Sequence, residues 1–96
     1  MARRRTLVSY DVRNDKRRDK VFKVLRNFGD NVQFSVFLCE LNSMERIRLV
    51  ATLRERINPR EDRVLLIDAG PTDSADLGPI EWLGERPPPP VKVRVF

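Results

Sequence analysis

Val32-Gln33-Phe34-Ser35-Val36-Phe37-Leu38-Cys39-Glu40-Leu41 contains neither glycine nor proline. Val32, Phe34, Val36 and Leu38 alternate with Gln33, Ser35, Phe37 and Cys39, which is the period of extended chain. An ordinary strand has about five or six residues, and this stretch is longer, so a bend or tight hairpin is expected near Ser35. The fold depends on that break. One continuous strand gives an alternating strand–helix order, whereas two short strands give βαββαβ.

Upstream, Val21, Val24, Leu25 and Phe28 recur at helical spacing, with Asn14-Asp15 as N-cap and first acidic residue. A helix is therefore predicted from about Asp15 to Asn27, ended by Gly29 in a left-handed cap. Before it, Thr6 to Val12 is β-branched and aromatic and reads as a buried strand. Downstream, Asn42 with Glu45 three residues later has the form of a capping box. Ile47, Val50, Leu53 and Ile57 then form a helical stripe that Asn58-Pro59 ends, and Arg63 to Asp68 reads as another strand. With the hairpin, the chain is α+β and ferredoxin-like: an antiparallel sheet with two helices on one face.

Residues 1–70 account for that domain, and 71–96 form a C-terminal extension. The extension has a stiff spacer, Pro87 to Pro90, and an alternating tail, Val91 to Phe96. So short a strand needs a sheet edge to pair with, its own or that of a second copy in a strand-exchanged homodimer.

The chain has no histidine. That excludes histidine bases, Ser-His-Asp triads and histidine-ligated zinc, and leaves carboxylates with a hard metal as the tools for an enzyme. The lone Cys39 lies in an apolar run and reads as a packing residue. The net charge of +5 favours a phosphate-bearing partner. No apolar run approaches a membrane span, and the basic N-terminus lacks a cleavage signature, so a cytoplasmic protein without membrane contact is expected.

Asp11, at the end of the first predicted strand, is the leading candidate for chemistry. It either caps backbone N–H groups of the following turn or binds a magnesium ion. One carboxylate per chain is few for such an ion, and two copies meeting across a dyad would supply two. Arg13, Lys16, Arg17 and Arg18 follow directly, either as a solvated helix face or as a phosphate-binding cluster. Ser35 is a further candidate phosphate contact. Tyr10 and Phe37 are candidates for base stacking or for core and interface packing.

Tyr10-Asp11-Val12, Asp15-Lys16-Arg17-Arg18, Gly29, Val32 to Phe37, and the turn Asn58-Pro59-Arg60-Glu61-Asp62 together resemble the CRISPR-associated protein 2 family, over roughly Thr6 to Gly70. The resemblance implies a ferredoxin-like homodimer with a divalent ion, Mg2+ or Mn2+, between two copies of Asp11. It implies a metal-dependent endoribonuclease on single-stranded RNA, with duplex DNA as a further substrate. It also implies the central subunit of a spacer-acquisition complex, bridging two dimers of the CRISPR integrase subunit along incoming DNA. Arg17 and Arg18 match the family's basic cluster, and Ser35 and Phe37 its second block. Leu38-Cys39-Glu40 departs from the family, where an acidic residue directly follows the Phe, and the proline-bearing tail is longer than in compact members. Two other functions fit the same residues: a non-catalytic DNA-binding scaffold, and a toxin-type ribonuclease on this fold.

Overall fold

The computed structural model describes residues 2–72 and 81–85, and the chain breaks at Ser35 as the length of the stretch requires. The elements in order are β1 (Arg4–Asp11), α1 (Asp15–Phe28), β2 (Gly29–Gln33), β3 (Val36–Leu41), α2 (Ser43–Arg56) and β4 (Arg63–Pro71). They form one four-stranded sheet in the order β2-β3-β1-β4, with β1 antiparallel to both β3 and β4. This is the βαββαβ arrangement. The proline run and the terminal alternating tail lie outside the described residues.

Asn14 starts α1, its side chain accepting from Arg17 N at 3.0 Å. Asn42 and Glu45 form the full capping box on α2. Val21, Leu25 and Phe28 form the buried face of α1. They pack with Val8, Tyr10, Val12, Phe37, Cys39, Leu41, Leu49 and Leu53 in a single core between helices and sheet. No described helix is long and apolar enough to cross a membrane.

Two local expectations need correction. Gly29 does not take a left-handed cap; it is extended, at φ −163° and ψ −165°, and opens β2 at once. A Cβ there would lie 2.5 Å from both Cys39 Sγ and the Leu38 carbonyl, so the glycine serves the close approach of β2 to β3. In α2 the inward line is Glu45, Leu49 and Leu53, while Ile47 is 64% exposed. Apolar residues sit on more than one side of that helix; of the expected stripe Leu53 is buried and Ile57 packs against the core, while Ile47 does not. Glu45 tolerates burial because it accepts from Asn42 N and pairs with Arg3.

The turn also settles which side of β3 faces inward. Phe37, Cys39 and Leu41 point to the helices. Because Cα partners across strands share a face and neighbours along a strand do not, the other face carries a second set. These residues are Arg5, Leu7, Ser9 and Asp11 of β1, Val36, Leu38 and Glu40 of β3, and Arg63, Leu65 and Ile67 of β4. Neither helix covers this side. Leu65 and Ile67 are exposed, so the sheet presents a face that is apolar at its centre and ends in Asp11 opposite Arg63.

Candidate catalytic and nucleic-acid-binding site

Asp11 is the last residue of β1 and sits level with Arg63, the first of β4. It is exposed, and among the described residues its side chain has no hydrogen-bonding or ionic partner. Its carboxylate therefore does not cap the following turn. Val12, next along the chain, is buried in the core.

A buried carboxylate, Asp62, organises the loop that follows. Its side chain is fully enclosed and all its acceptor capacity is used. Oδ1 accepts from Arg13 N at 3.2 Å and Arg17 Nη2 at 3.2 Å; Oδ2 accepts from Arg17 Nε at 2.8 Å and Asn58 N at 2.8 Å. Arg17 also reaches Glu61 at 3.3 Å. The β1–α1 loop, α1 and the turn before β4 are thus tied at one point, two residues from Asp11. The bidentate Arg17 guanidinium, helped by the two backbone N–H groups and opposed by burial, holds the Asp62 carboxyl down at about 2.

The predicted phosphate-binding residues divide accordingly. Arg13 and Lys16 are exposed, and among the described residues their side chains have no hydrogen-bonding or ionic partner. Arg17 is committed to Asp62 and Glu61. Arg18 donates to the Val12 carbonyl at 3.0 Å and pairs with Asp15. Ser35 is half-buried at the β2–β3 turn, and its carbonyl accepts from Tyr10 N at 3.1 Å.

Tyr10 and Phe37 are core residues, 6% and 0% exposed, so neither offers a ring face to a base. Their centroids lie 6.3 Å apart, and Phe22 stands edge-on to Phe37 at 5.3 Å. Burial pushes the Tyr10 hydroxyl's pKa up, with Arg18 pulling it partly back. The open ring at this end of the sheet is Phe34, 93% exposed at the turn.

No cluster of three or more Cys, Asp or Glu side chains that would hold a metal occurs among the described residues. One chain offers Asp11 alone as a free carboxylate at this end of β1. That donor set fits a divalent cation only when doubled.

Comparisons with known proteins follow the same lines. The family model described as CRISPR associated protein Cas2 matches residues 4–75. A CRISPR-associated endoribonuclease Cas2 of Geobacter sulfurreducens is 41% identical over 68 residues, covering 71% of this chain and 72% of the relative. One from Rhodospirillum rubrum is 39% identical over 79 residues, covering 82% and 76%. The crystal structure of a hypothetical protein from Thermus thermophilus superposes with a TM-score of 0.75 at 30% identity, covering 92% of this chain and 99% of that one.

Proposed function

Because the chain belongs to the CRISPR-associated Cas2 family, we propose that it is an endoribonuclease of CRISPR adaptation that cuts single-stranded RNA as a homodimer. The observation that carries this reading is the helix-free sheet face. Leu7, Val36, Leu38, Leu65 and Ile67 make it apolar, and Asp11 stands at its end. A second copy stacked on that face would bury the exposed leucine and isoleucine. A dyad passing near that end would bring two Asp11 carboxylates together.

The two Asp11 side chains would then hold a Mg2+ or Mn2+ ion, which supplies charge neutralisation and a more acidic water for phosphodiester hydrolysis. Arg13 and Lys16 bind flanking phosphates. Asp62, through Arg13 N and Arg17, keeps the loop after Asp11 in place. The names of the relatives support a CRISPR role over a toxin-type ribonuclease.

A second reading is favoured by Asp11 being, among the described residues, the one free carboxylate that a chain brings to this end of β1. In it the dimer is a non-catalytic scaffold that bridges two dimers of the integrase subunit and lies along duplex DNA. The exposed cations serve phosphate binding in either case.

One pair of variants separates them. Asp11→Asn abolishes metal-dependent RNA cleavage while the dimer and its thermal transition persist. Leu65→Asp with Ile67→Asp yields a monomer that also fails to cleave. Metal-dependent cleavage retained by purified Asp11→Asn rules out the catalytic role. Cleavage by the monomer rules out the shared site.

A further inference from the structure

Phe34 has its ring almost fully in water, yet its backbone is not loose. The Asn31 side chain donates to the Gln33 carbonyl at 2.7 Å and to the Val36 carbonyl at 3.1 Å, bracing the turn from within. Tyr10 N donates to the Ser35 carbonyl at 3.1 Å, pinning the same turn to β1. The turn is held on both sides of Phe34, so the ring is presented from a fixed point.

That point is set by register. Ser9 lies opposite Val36, and Tyr10 is bonded to Ser35. The turn that carries Phe34 therefore lies at the end of the sheet where β1 finishes with Asp11. The end of the sheet therefore gathers a free carboxylate, an open aromatic ring and, just past the strand, the unpaired Arg13 and Lys16. A ring face with cations near it is what a nucleotide with an unstacked base meets most favourably.

We infer that Phe34 is a base-stacking platform that seats one unpaired base of single-stranded RNA at the Asp11 end of the sheet. The inference rests on the endoribonuclease reading and gives it a physical source of strand preference. A duplex keeps its bases stacked on one another and cannot use the ring. Single-stranded RNA can turn a base onto it, and the ring tolerates any base because every base has a π face.

The test measures binding of the full chain in the presence of a chelator, so that nothing is cut. The probe is a single-stranded oligoribonucleotide carrying 2-aminopurine, compared with the same strand annealed to its complement. Phe34→Ala weakens single-strand binding about tenfold, in line with the loss of one stacked base. It leaves duplex binding unchanged and abolishes the quenching of 2-aminopurine that the unmodified protein produces. Phe34→Trp restores both affinity and quenching. Equal losses for single strand and duplex overturn the inference, as do unchanged single-strand affinity and failure of the unmodified protein to bind the single strand. Dissociation of the Phe34→Ala dimer in sedimentation also overturns it, since the ring would then be a contact between copies. Since affinity is read without cleavage, stacking stands or falls separately from whether Asp11 cuts.

Discussion

Replacing Asp62 by asparagine tests how the loop behind Asp11 is held. Asparagine keeps the side-chain shape but offers one accepting oxygen where four donors converge: Arg13 N, Asn58 N and two nitrogens of Arg17. It also removes the charge opposite a guanidinium that is only 26% exposed. Losing one partner of a buried pair costs about 3–5 kcal/mol. The lower end applies here, since Glu61 still lies 3.3 Å from Arg17. The expected loss near pH 7 is therefore about 3 kcal/mol. The pH dependence gives a second, independent number. The carboxyl ionises at about 2 in the fold against an ordinary 3.8. A folded pKa below the unfolded one stabilises the protein above the unfolded value, and that stabilisation fades as pH falls through the folded value. It amounts to about 2 kcal/mol at neutral pH, with about 1 kcal/mol gone by about pH 3. In the difference between the unmodified protein and Asp62→Asn, contributions of the other carboxylates cancel. Urea unfolding followed by circular dichroism, at fixed protein concentration because a dimer's stability depends on it, should give a gap that narrows by about 1 kcal/mol between about pH 6 and about pH 3. A gap that stays constant over that range, or no gap at neutral pH, refutes the account of Asp62.

Gly29→Ala should destabilise the protein by about 3 kcal/mol in the same assay. The new methyl group meets the Leu38 carbonyl at 2.5 Å, and backbone cannot rotate away as a side chain can; unchanged stability would mean that β2 and β3 separate freely. For RNA binding, Arg13→Ala and Lys16→Ala should each make the slope of log affinity against log salt shallower by about 0.7, the loss of one phosphate contact on a single strand. Arg17→Ala should leave that slope alone and lower the unfolding midpoint, and a salt effect equal to that of Arg13→Ala would show that Arg17 leaves Asp62 to bind phosphate.

Local signals in the sequence transferred directly to the structure. Asn14 and the Asn42/Glu45 pair cap their helices because capping involves residues three apart. The hairpin followed from the excess length of one alternating stretch. What failed depended on contacts distant in sequence. Gly29 does stop α1, but in an extended rather than a left-handed conformation, because it packs closely against Cys39 and Leu38 across the sheet. The turn at Ser35 resets the alternation, so Phe34, grouped with Val36 and Leu38 by simple period, ends in solvent while Phe37 is fully enclosed. Composition could not rank Ile47 below Leu49, because both are apolar and only packing against α1 and β3 tells them apart.

The candidate site shows the same limit in its electrostatics. Asp11 was identifiable because an acid at the end of a buried strand is conspicuous on its own. The cations after it were identifiable only as a group. Arg13, Lys16, Arg17 and Arg18 are equivalent as sequence, yet Asp62, 45 residues from Arg17, removes one of them from the surface supply. Arg18 is drawn to the Val12 carbonyl and to Asp15. A guanidinium already forked onto a carboxylate must give up those bonds before it can grip a phosphate, at a cost comparable to what the phosphate returns. On the proposed function, availability rather than charge selects the phosphate contacts. That makes Arg13 and Lys16 the pair to follow in binding, and Arg17 the residue to follow in stability.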